Sequence, residues 1–191
     1  MGVLVDEPGT TVEIRLPRRG MVIIAGLPGA GKSTLLAGIT ETAGAIVLDS
    51  DQVRLVLAGR LPAAVPYRTY RPLVHVLHRL RILYFCAITR RPVLAHEPAT
   101  RASTRALLVL IAAVTGRGPY LLWLDTTPDQ AAMGQRERGR MLGSRSFSRH
   151  LRRAGRVRRR LDAGRGLRGW VSVDVLPRPP LGTPVVLRPL H

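Results

Sequence analysis

The sequence predicts a three-layer α/β domain, in which helices cover both faces of a parallel sheet. Short apolar, β-branched runs alternate with longer segments of helical periodicity, which is the pattern of parallel βαβ units. A glycine-rich loop, GLPGAGKST at 26–34, joins the first of these runs to a helical segment. The 191 residues are enough for one domain with a substantial buried core.

Five buried strands are expected after residue 20, because each apolar run is short and ends at a glycine, an acid or a proline. They are MVIIAG (21–26), AIVLDS (45–50), PVLAHE (92–97), YLLWLD (120–125) and WVSVDVLP (170–177). Helices are expected at 33–44, 51–59, 73–90, 99–118, 127–143 and 144–164. The proline-containing segment 60–72 is expected to be a loop, and Ser50 or Asp51 to lie near the N-cap of the second helix.

Three regions are expected along the chain. Residues 1–19 contain TTVEIRLP, which predicts an additional N-terminal strand or hairpin. Residues 20–177 form the main domain, and no internal repeat is evident in them. Residues 178–191 form a proline-rich tail that is expected to be extended or loosely ordered.

The composition limits which kinds of protein and which binding partners are expected. No apolar run approaches the roughly 18 residues of a membrane span, and the N-terminus lacks the basic and apolar regions of a signal peptide. The single cysteine cannot form an internal disulfide, so a cytoplasmic protein is expected. The net charge of +18 attracts anions, whether nucleic acid, nucleotides or acidic membrane surfaces. Between Arg136 and Arg168 there are 13 arginines and two acids.

The glycine-rich loop carries a phosphate-binding pattern. Its residues Gly26, Gly31, Lys32 and Ser33 match G-x-x-x-x-G-K-[ST], the Walker A motif, between a strand and a helix. Glycines allow backbone N–H groups to approach phosphates closely, and the helix that follows directs its positive dipole end at the same anion. The expected ATP-binding residues are Gly26, Leu27, Pro28, Gly29, Ala30, Gly31, Lys32, Ser33 and Thr34.

The lysine of this motif is the only lysine in the chain, which otherwise has 29 arginines. A guanidinium is broader than an ammonium and would crowd a narrow backbone loop. We therefore expect Lys32 to reach the β- and γ-phosphates of ATP as a catalytic residue, and Ser33 to place its hydroxyl on Mg²⁺.

A second cluster of charged residues follows the second strand in LDSDQVR (48–54). Asp49 and Asp51 lie at the carboxyl end of the strand, where ligands bind in open α/β sheets. A carboxylate there can deprotonate an acceptor hydroxyl, and Arg54, three residues after Asp51, can hold a substrate anion. The alternative is an N-cap aspartate with a local ion pair.

Together, GLPGAGKST and LDSDQVR resemble P-loop kinases of the polynucleotide kinase, zeta-toxin and adenylylsulfate kinase type, which are AAA-family ATP-binding proteins. This resemblance implies a P-loop NTPase fold with strand order 2-3-1-4-5. It also implies that Asp51 is the acceptor base, that Arg54 binds the substrate and that an arginine-bearing lid follows the fourth strand.

The expected lid covers about residues 136–165. Arg136 and Arg140 are four residues apart and would share one helix face, so they are candidate catalytic residues that offset charge on the transferred phosphoryl group. The alternative is that these arginines are only the solvated charge of a surface helix.

The third strand departs from the pattern of the resembled kinases. Polynucleotide kinase-like members often carry an Asp and a Thr-Asn pair after it, whereas this chain has AHEPATR at 95–101. By transfer, Glu97 would hold Mg²⁺ through water and Arg101 would meet the substrate. Asp49 and Asp125 remain alternative acids for Mg²⁺, and Asp125 could equally cap the following helix.

Other aromatic and histidine residues have two interpretations each. Tyr67, Tyr70 and Arg71 could line a substrate cleft or serve packing. His75 and His78 share a helix face, but no third metal ligand is evident in the sequence.

The sequence therefore predicts an ATP- and Mg²⁺-dependent phosphotransferase that acts on a hydroxyl of a small or nucleic-acid acceptor, either phosphorylated or polymeric. The alternative is an ATP-dependent nucleic-acid-binding or regulatory NTPase, with the arginines after residue 135 on the nucleic acid. Only eight aromatic residues are available for base stacking, which disfavours the alternative.

Overall fold

The structure is a computed structural model that describes residues 3–6, 11–137 and 143–190. The described strands are β1 (Val3–Asp6), β2 (Thr11–Leu16), β3 (Met21–Gly26), β4 (Ile39–Glu41), β5 (Ile46–Leu48), β6 (Val93–His96), β7 (Pro119–Asp125), β8 (Ser172–Pro177) and β9 (Val185–Pro189). The described helices are α1 (Lys32–Ala37), α2 (Ser50–Arg60), α3 (Tyr67–Ile88), α4 (Ala102–Val114), α5 (Pro128–Glu137) and α6 (Ser144–Asp162).

The main sheet has five parallel strands in the order β5-β6-β3-β7-β8. In order of appearance these strands are 2-3-1-4-5, so the expected fold class is confirmed. All six residues of the central strand β3 are buried, because neighbouring strands flank it and other elements cover its faces. The glycine-rich loop leaves the sheet from the end of this central strand.

A second sheet, in the order β1-β2-β9-β4, combines the two ends of the chain. Strands β1 and β2 form an antiparallel hairpin, which is the expected N-terminal addition, and β9 pairs in parallel with β2 and β4. The C-terminal tail is extended, but it is not loose. Val185 and Leu187 alternate on its buried side and pack into the core, which explains why it forms a strand.

Two helices differ most from their predicted bounds, and the helix expected at 99–118 is shorter at both ends, over Ala102–Val114. The helix expected at 33–44 ends at Ala37, because Gly38 turns the chain and its carbonyl oxygen accepts a hydrogen bond from the Val185 amide at 2.8 Å. The loop expected at 60–72 is helical from Tyr67. Pro66 precedes that helix, and Pro72 lies in its second turn, where few backbone hydrogen bonds are lost.

Among the described residues, no helix is both long and apolar enough to cross a bilayer.

Candidate functional site

The glycines of the 26–34 loop adopt backbone conformations that L side chains rarely adopt. Gly26, Gly29 and Gly31 have φ of 143°, 89° and 98°. A Cβ on Gly26 would lie 2.6 Å from the carbonyl oxygen of Leu124. The loop therefore needs glycine both for its turns and for its close contact with β7.

Lys32, the first residue of α1, points back into this loop. Its ammonium donates hydrogen bonds to the carbonyl oxygens of Gly26 at 3.1 Å and Leu27 at 2.7 Å. The residue is buried, with 4% of its surface exposed. The positive charge is thus enclosed by the loop itself.

The start of α2 is organised by its N-cap Asp49, so Ser50 and Asp51 lie near the cap as expected. The Asp49 carboxylate accepts a hydrogen bond from the Asp51 amide at 2.9 Å, and a reciprocal contact with Gln52 completes a capping box. Asp51 is consequently not the cap. Its Oδ1 lies 3.2 Å from Nε of Arg54, so the local ion pair of the alternative interpretation is present.

Asp49 also contacts the end of the neighbouring strand. Its Oδ1 is 3.0 Å from Nδ1 of His96. Burial alone would raise the pKa of the Asp49 carboxyl, but the hydrogen bond and charge of His96, the Asp51 amide and the Ser33 hydroxyl together lower that pKa well below its usual value. The carboxylate therefore stays ionised beside Ser33.

These elements enclose a cleft of about 460 Å³ between the glycine-rich loop, α2 and α3. The structure brings Lys32, Ser33, Asp51 and Arg54 together in its wall, together with Tyr67 and Arg71. Tyr70 is not in the wall and instead packs edge-on against Tyr67, with ring centroids 5.3 Å apart. Among the further lining residues that sequence reasoning missed are Arg68, His75, His96 and Gln135.

Glu97 lies just outside this cleft. The side chain is buried, and its Oε1 accepts a hydrogen bond from Arg79 Nη2 at 2.8 Å. Its other carboxylate oxygen is buried and has no hydrogen-bond partner among the described residues. His78 lies nearby, and its Nε2–H donates to the carbonyl oxygen of His96 at 2.8 Å. Burial lowers the pKa of His78 to about 4. Within the described ranges, no group of three or more His, Cys, Asp or Glu residues could hold a metal ion.

The other predicted residues lie away from the cleft. Arg136 is exposed in the last turn of α5, and Arg140 falls outside the described residues. Arg101 precedes α4 and lines a separate groove. Asp125 ends β7, and its Oδ2 lies 3.5 Å from Nε of Arg158.

Helix α5 packs directly on the phosphate-binding loop. Gln135 Nε2 donates to the carbonyl oxygen of Pro28 at 3.2 Å. A side chain on Gly134 would clash with the backbone of Gly29, and one on Gly29 would clash with the carbonyl of Ala131. The only sequence signal for this contact was a glycine within a helical segment, where it costs about 1 kcal/mol relative to alanine.

A second pocket, of about 230 Å³, lies beside the same loop. On one side it is lined by Gly31 and by Thr34, Leu35 and Ala37 of α1. On the other side is segment 178–183 of the tail, in which the Arg178 guanidinium donates to the Gln130 carbonyl oxygen at 3.0 Å.

Comparison with protein families gives a match to the AAA domain family over residues 21–163. The chain belongs to this AAA domain family. The matched region begins at β3 and ends just after α6, so it includes the phosphate-binding loop and the whole cleft. The resemblance to P-loop kinases that the two sequence motifs carry is confirmed.

Three solved structures share the fold of this AAA domain protein. A gluconokinase from Sinorhizobium meliloti matches with a TM-score of 0.53 and 19% identity, over 86% of each chain. A putative kinase from Chloroflexus aurantiacus has a TM-score of 0.57 and 11% identity, again over 86% of each chain. A structure of the PezAT toxin–antitoxin system of Streptococcus pneumoniae has a TM-score of 0.54 and 12% identity, over 90% of this chain and 72% of that one.

No curated protein matches this chain. The AAA domain family and the P-loop kinase fold support ATP-dependent phosphoryl transfer in general terms.

Proposed function

We propose that the protein is an ATP-dependent kinase that transfers the γ-phosphoryl group to a hydroxyl of a small anionic acceptor. One observation carries the proposal. Asp51 and Arg54 lie in the same cleft as Lys32 and Ser33, so a base and an anion-binding group share one space with the phosphate-binding loop.

The triphosphate of ATP fits the 26–34 loop. The backbone N–H groups of a glycine-rich loop and the start of α1 bind phosphates, and the enclosed Lys32 ammonium supplies the charge between β- and γ-phosphates. The adenine base would enter the pocket between α1 and segment 178–183, because that pocket adjoins the loop at Gly31 on the side away from Asp51.

Mg²⁺ fits the donor set formed by Ser33 and Asp49. The ion prefers one or two protein oxygens and takes its other ligands from phosphates and water. Asp49 meets this requirement because its carboxylate is held ionised next to the Ser33 hydroxyl. Glu97 and Asp125 fit less well, since each lies against an arginine and, among the described residues, Asp49 is the carboxylate in contact with Ser33. When bound, the ion would neutralise charge on the phosphates.

The chemical step is then an in-line displacement. As the acceptor oxygen attacks the γ-phosphorus, the bond from that phosphorus to the β,γ-bridging oxygen breaks and ADP leaves. Asp51 takes the proton of the attacking hydroxyl. Arg54, 3.2 Å from Asp51, holds the carboxylate in place and faces the same acceptor.

The cleft walls indicate the class of acceptor. Arg54, Arg68 and Arg71 line the cleft, whereas Asp51 is the only acid in its described lining. An acceptor that carries a carboxylate or phosphate beside its hydroxyl would satisfy this excess of positive charge. The volume of about 460 Å³ suits a small molecule.

The test is transfer of label from γ-labelled ATP to a panel of hydroxy acids, sugar phosphates, nucleosides and 5′-hydroxyl oligonucleotides. Asp51→Asn should abolish transfer to the accepted substrate while ATP still binds, because the carboxylate lies outside the phosphate loop. Asp162→Asn, at the exposed end of α6, is the matched control and should retain transfer. ATP hydrolysis that needs no acceptor and persists in Asp51→Asn would instead favour the regulatory NTPase.

A further inference from the structure

A second, strongly basic groove of about 530 Å³ lies between the start of α4 and one face of α6. Five arginines line it, and no acidic residue is in its described lining. They are Arg101, Arg105, Arg153, Arg156 and Arg160.

The α6 arginines of the groove form a stripe along one side of the helix, and Arg149 continues the stripe one turn before the groove lining. Arg149, Arg153, Arg156 and Arg160 follow one another at intervals of four, three and four residues, which is the spacing of one helix face. At 1.5 Å per residue the stripe is roughly 16 Å long. A ligand that uses the whole stripe must therefore carry several negative charges in a row.

In the described part of the chain, no acidic side chain pairs with the arginines that line this groove. Among the described residues, the ion pairs of α6 involve Arg158, which does not line the groove. Desolvation first, and then repulsion from Arg101, Arg149 and other arginines, lowers the pKa of Arg153. Helix α4 adds its positive end, since it has neither a side-chain cap nor an acid in its first turn.

Charged residues of the groove and of the cleft both act on His150. This residue of α6 hydrogen-bonds through Nδ1 to the hydroxyl of Thr100, which lines the groove, at 2.9 Å. Burial first, and then the charges of Arg71 and Lys32 in the cleft and of Arg153 and Arg101 in the groove, lower the pKa of His150 to about 4. One positive field thus extends from the cleft into the groove.

We propose that the arginine groove binds the phosphodiester backbone of a nucleic acid strand, independently of base sequence. The length of the stripe fits several consecutive phosphates, whereas one small anion would occupy only one or two guanidinium forks. No aromatic side chain is in the described lining, so bases are not stacked there and the contact is to phosphate. This binding needs neither ATP nor transfer, so it goes beyond the proposed kinase activity.

The experiment measures fluorescence anisotropy of a labelled single-stranded oligonucleotide against the full chain over a range of salt concentrations. The test variant is Arg156→Gln/Arg160→Gln in the groove. The control is Arg152→Gln/Arg159→Gln, which removes the same charge from exposed positions of the same helix that do not line the groove. Circular dichroism and ATP binding confirm that both variants fold.

The groove variant should bind roughly tenfold more weakly, and the slope of log K against log salt should become shallower by about 1.4, for two lost phosphate contacts at about 0.7 each. The affinity of the control variant for the oligonucleotide should stay within about threefold of that of the parent chain. Equal weakening of both variants would show that binding follows overall charge and would overturn the proposal. So would binding to phosphatidylserine vesicles without binding to the oligonucleotide. The kinase proposal is tested separately by transfer to small acceptors, so either can fail alone.

Discussion

The Asp49 carboxylate and the His96 ring are hydrogen-bonded at 3.0 Å, which joins the start of α2 to the end of β6. Asp49 follows β5 and His96 ends β6, and these parallel strands end at the same edge of the sheet. The contact lowers the pKa of Asp49, although burial opposes this, and it holds the carboxylate beside Ser33. A residue that looks like a simple helix cap is therefore also placed to serve the phosphate site.

Asp49→Asn should raise the Mg²⁺ concentration needed for half-maximal transfer by roughly tenfold or more, because an amide is a weaker ligand than a carboxylate. Asparagine is as good an N-cap as aspartate, so α2 should keep its stability. The measurement is initial transfer rate against Mg²⁺ at saturating ATP. Asp125→Asn is the control, and a larger effect there would move the proposed ion site to the end of β7.

Gly134→Ala should weaken ATP binding by about tenfold or more, since a methyl group at this position clashes with the Gly29 backbone and displaces the phosphate loop. Gly59→Ala is the matched control, because that helical glycine has no atom within 4 Å of its Cβ position. The control should bind ATP as the parent chain does, and its free energy of unfolding should be unchanged or higher by up to about 1 kcal/mol. Calorimetric titration measures the ATP affinity of both variants, and urea denaturation measures their stability. Unchanged affinity in Gly134→Ala would mean that the loop is independent of α5.

Sequence motifs predicted the parts of the site that are formed by residues within one short segment. The loop with Lys32 and the pair Asp51–Arg54 are set by spacing within a few residues, and the strand order followed from the motifs that the chain shares with P-loop kinases. His96, Gln135 and the tail pocket depend on packing between distant segments. Apart from the helical Gly134 beside it, nothing near Gln135 in the sequence indicates that its amide reaches Pro28, 107 residues earlier in the chain.

Arg117→Lys should destabilise the fold by about 2 to 3 kcal/mol, because several carbonyl oxygens would lose a charged donor. The buried guanidinium donates to the carbonyl oxygens of Cys86 and Arg91 at 2.8 Å each, and also to that of Thr89. A lysine ammonium is a single point and cannot reach all of them at once. Arg90→Lys, at an exposed position nearby, should change the free energy of unfolding by less than about 0.5 kcal/mol. Urea denaturation measures both, and equal midpoints would contradict this account of Arg117.

Lys32→Arg should reduce transfer on the order of 100-fold although the charge is kept. The ammonium is almost fully enclosed and lies between the carbonyl oxygens of Gly26 and Leu27, at 3.1 and 2.7 Å. A planar guanidinium needs more room than this loop leaves, so it would displace either the loop or the phosphates.

The comparison with Lys32→Ala, by transfer rate and ATP affinity, separates size from charge. If size decides, arginine and alanine should be similarly defective, which would explain why a chain with 29 arginines has its one lysine in this loop. If Lys32→Arg works nearly as well as the parent chain while Lys32→Ala is inactive, charge alone suffices. The single lysine would then have no steric basis.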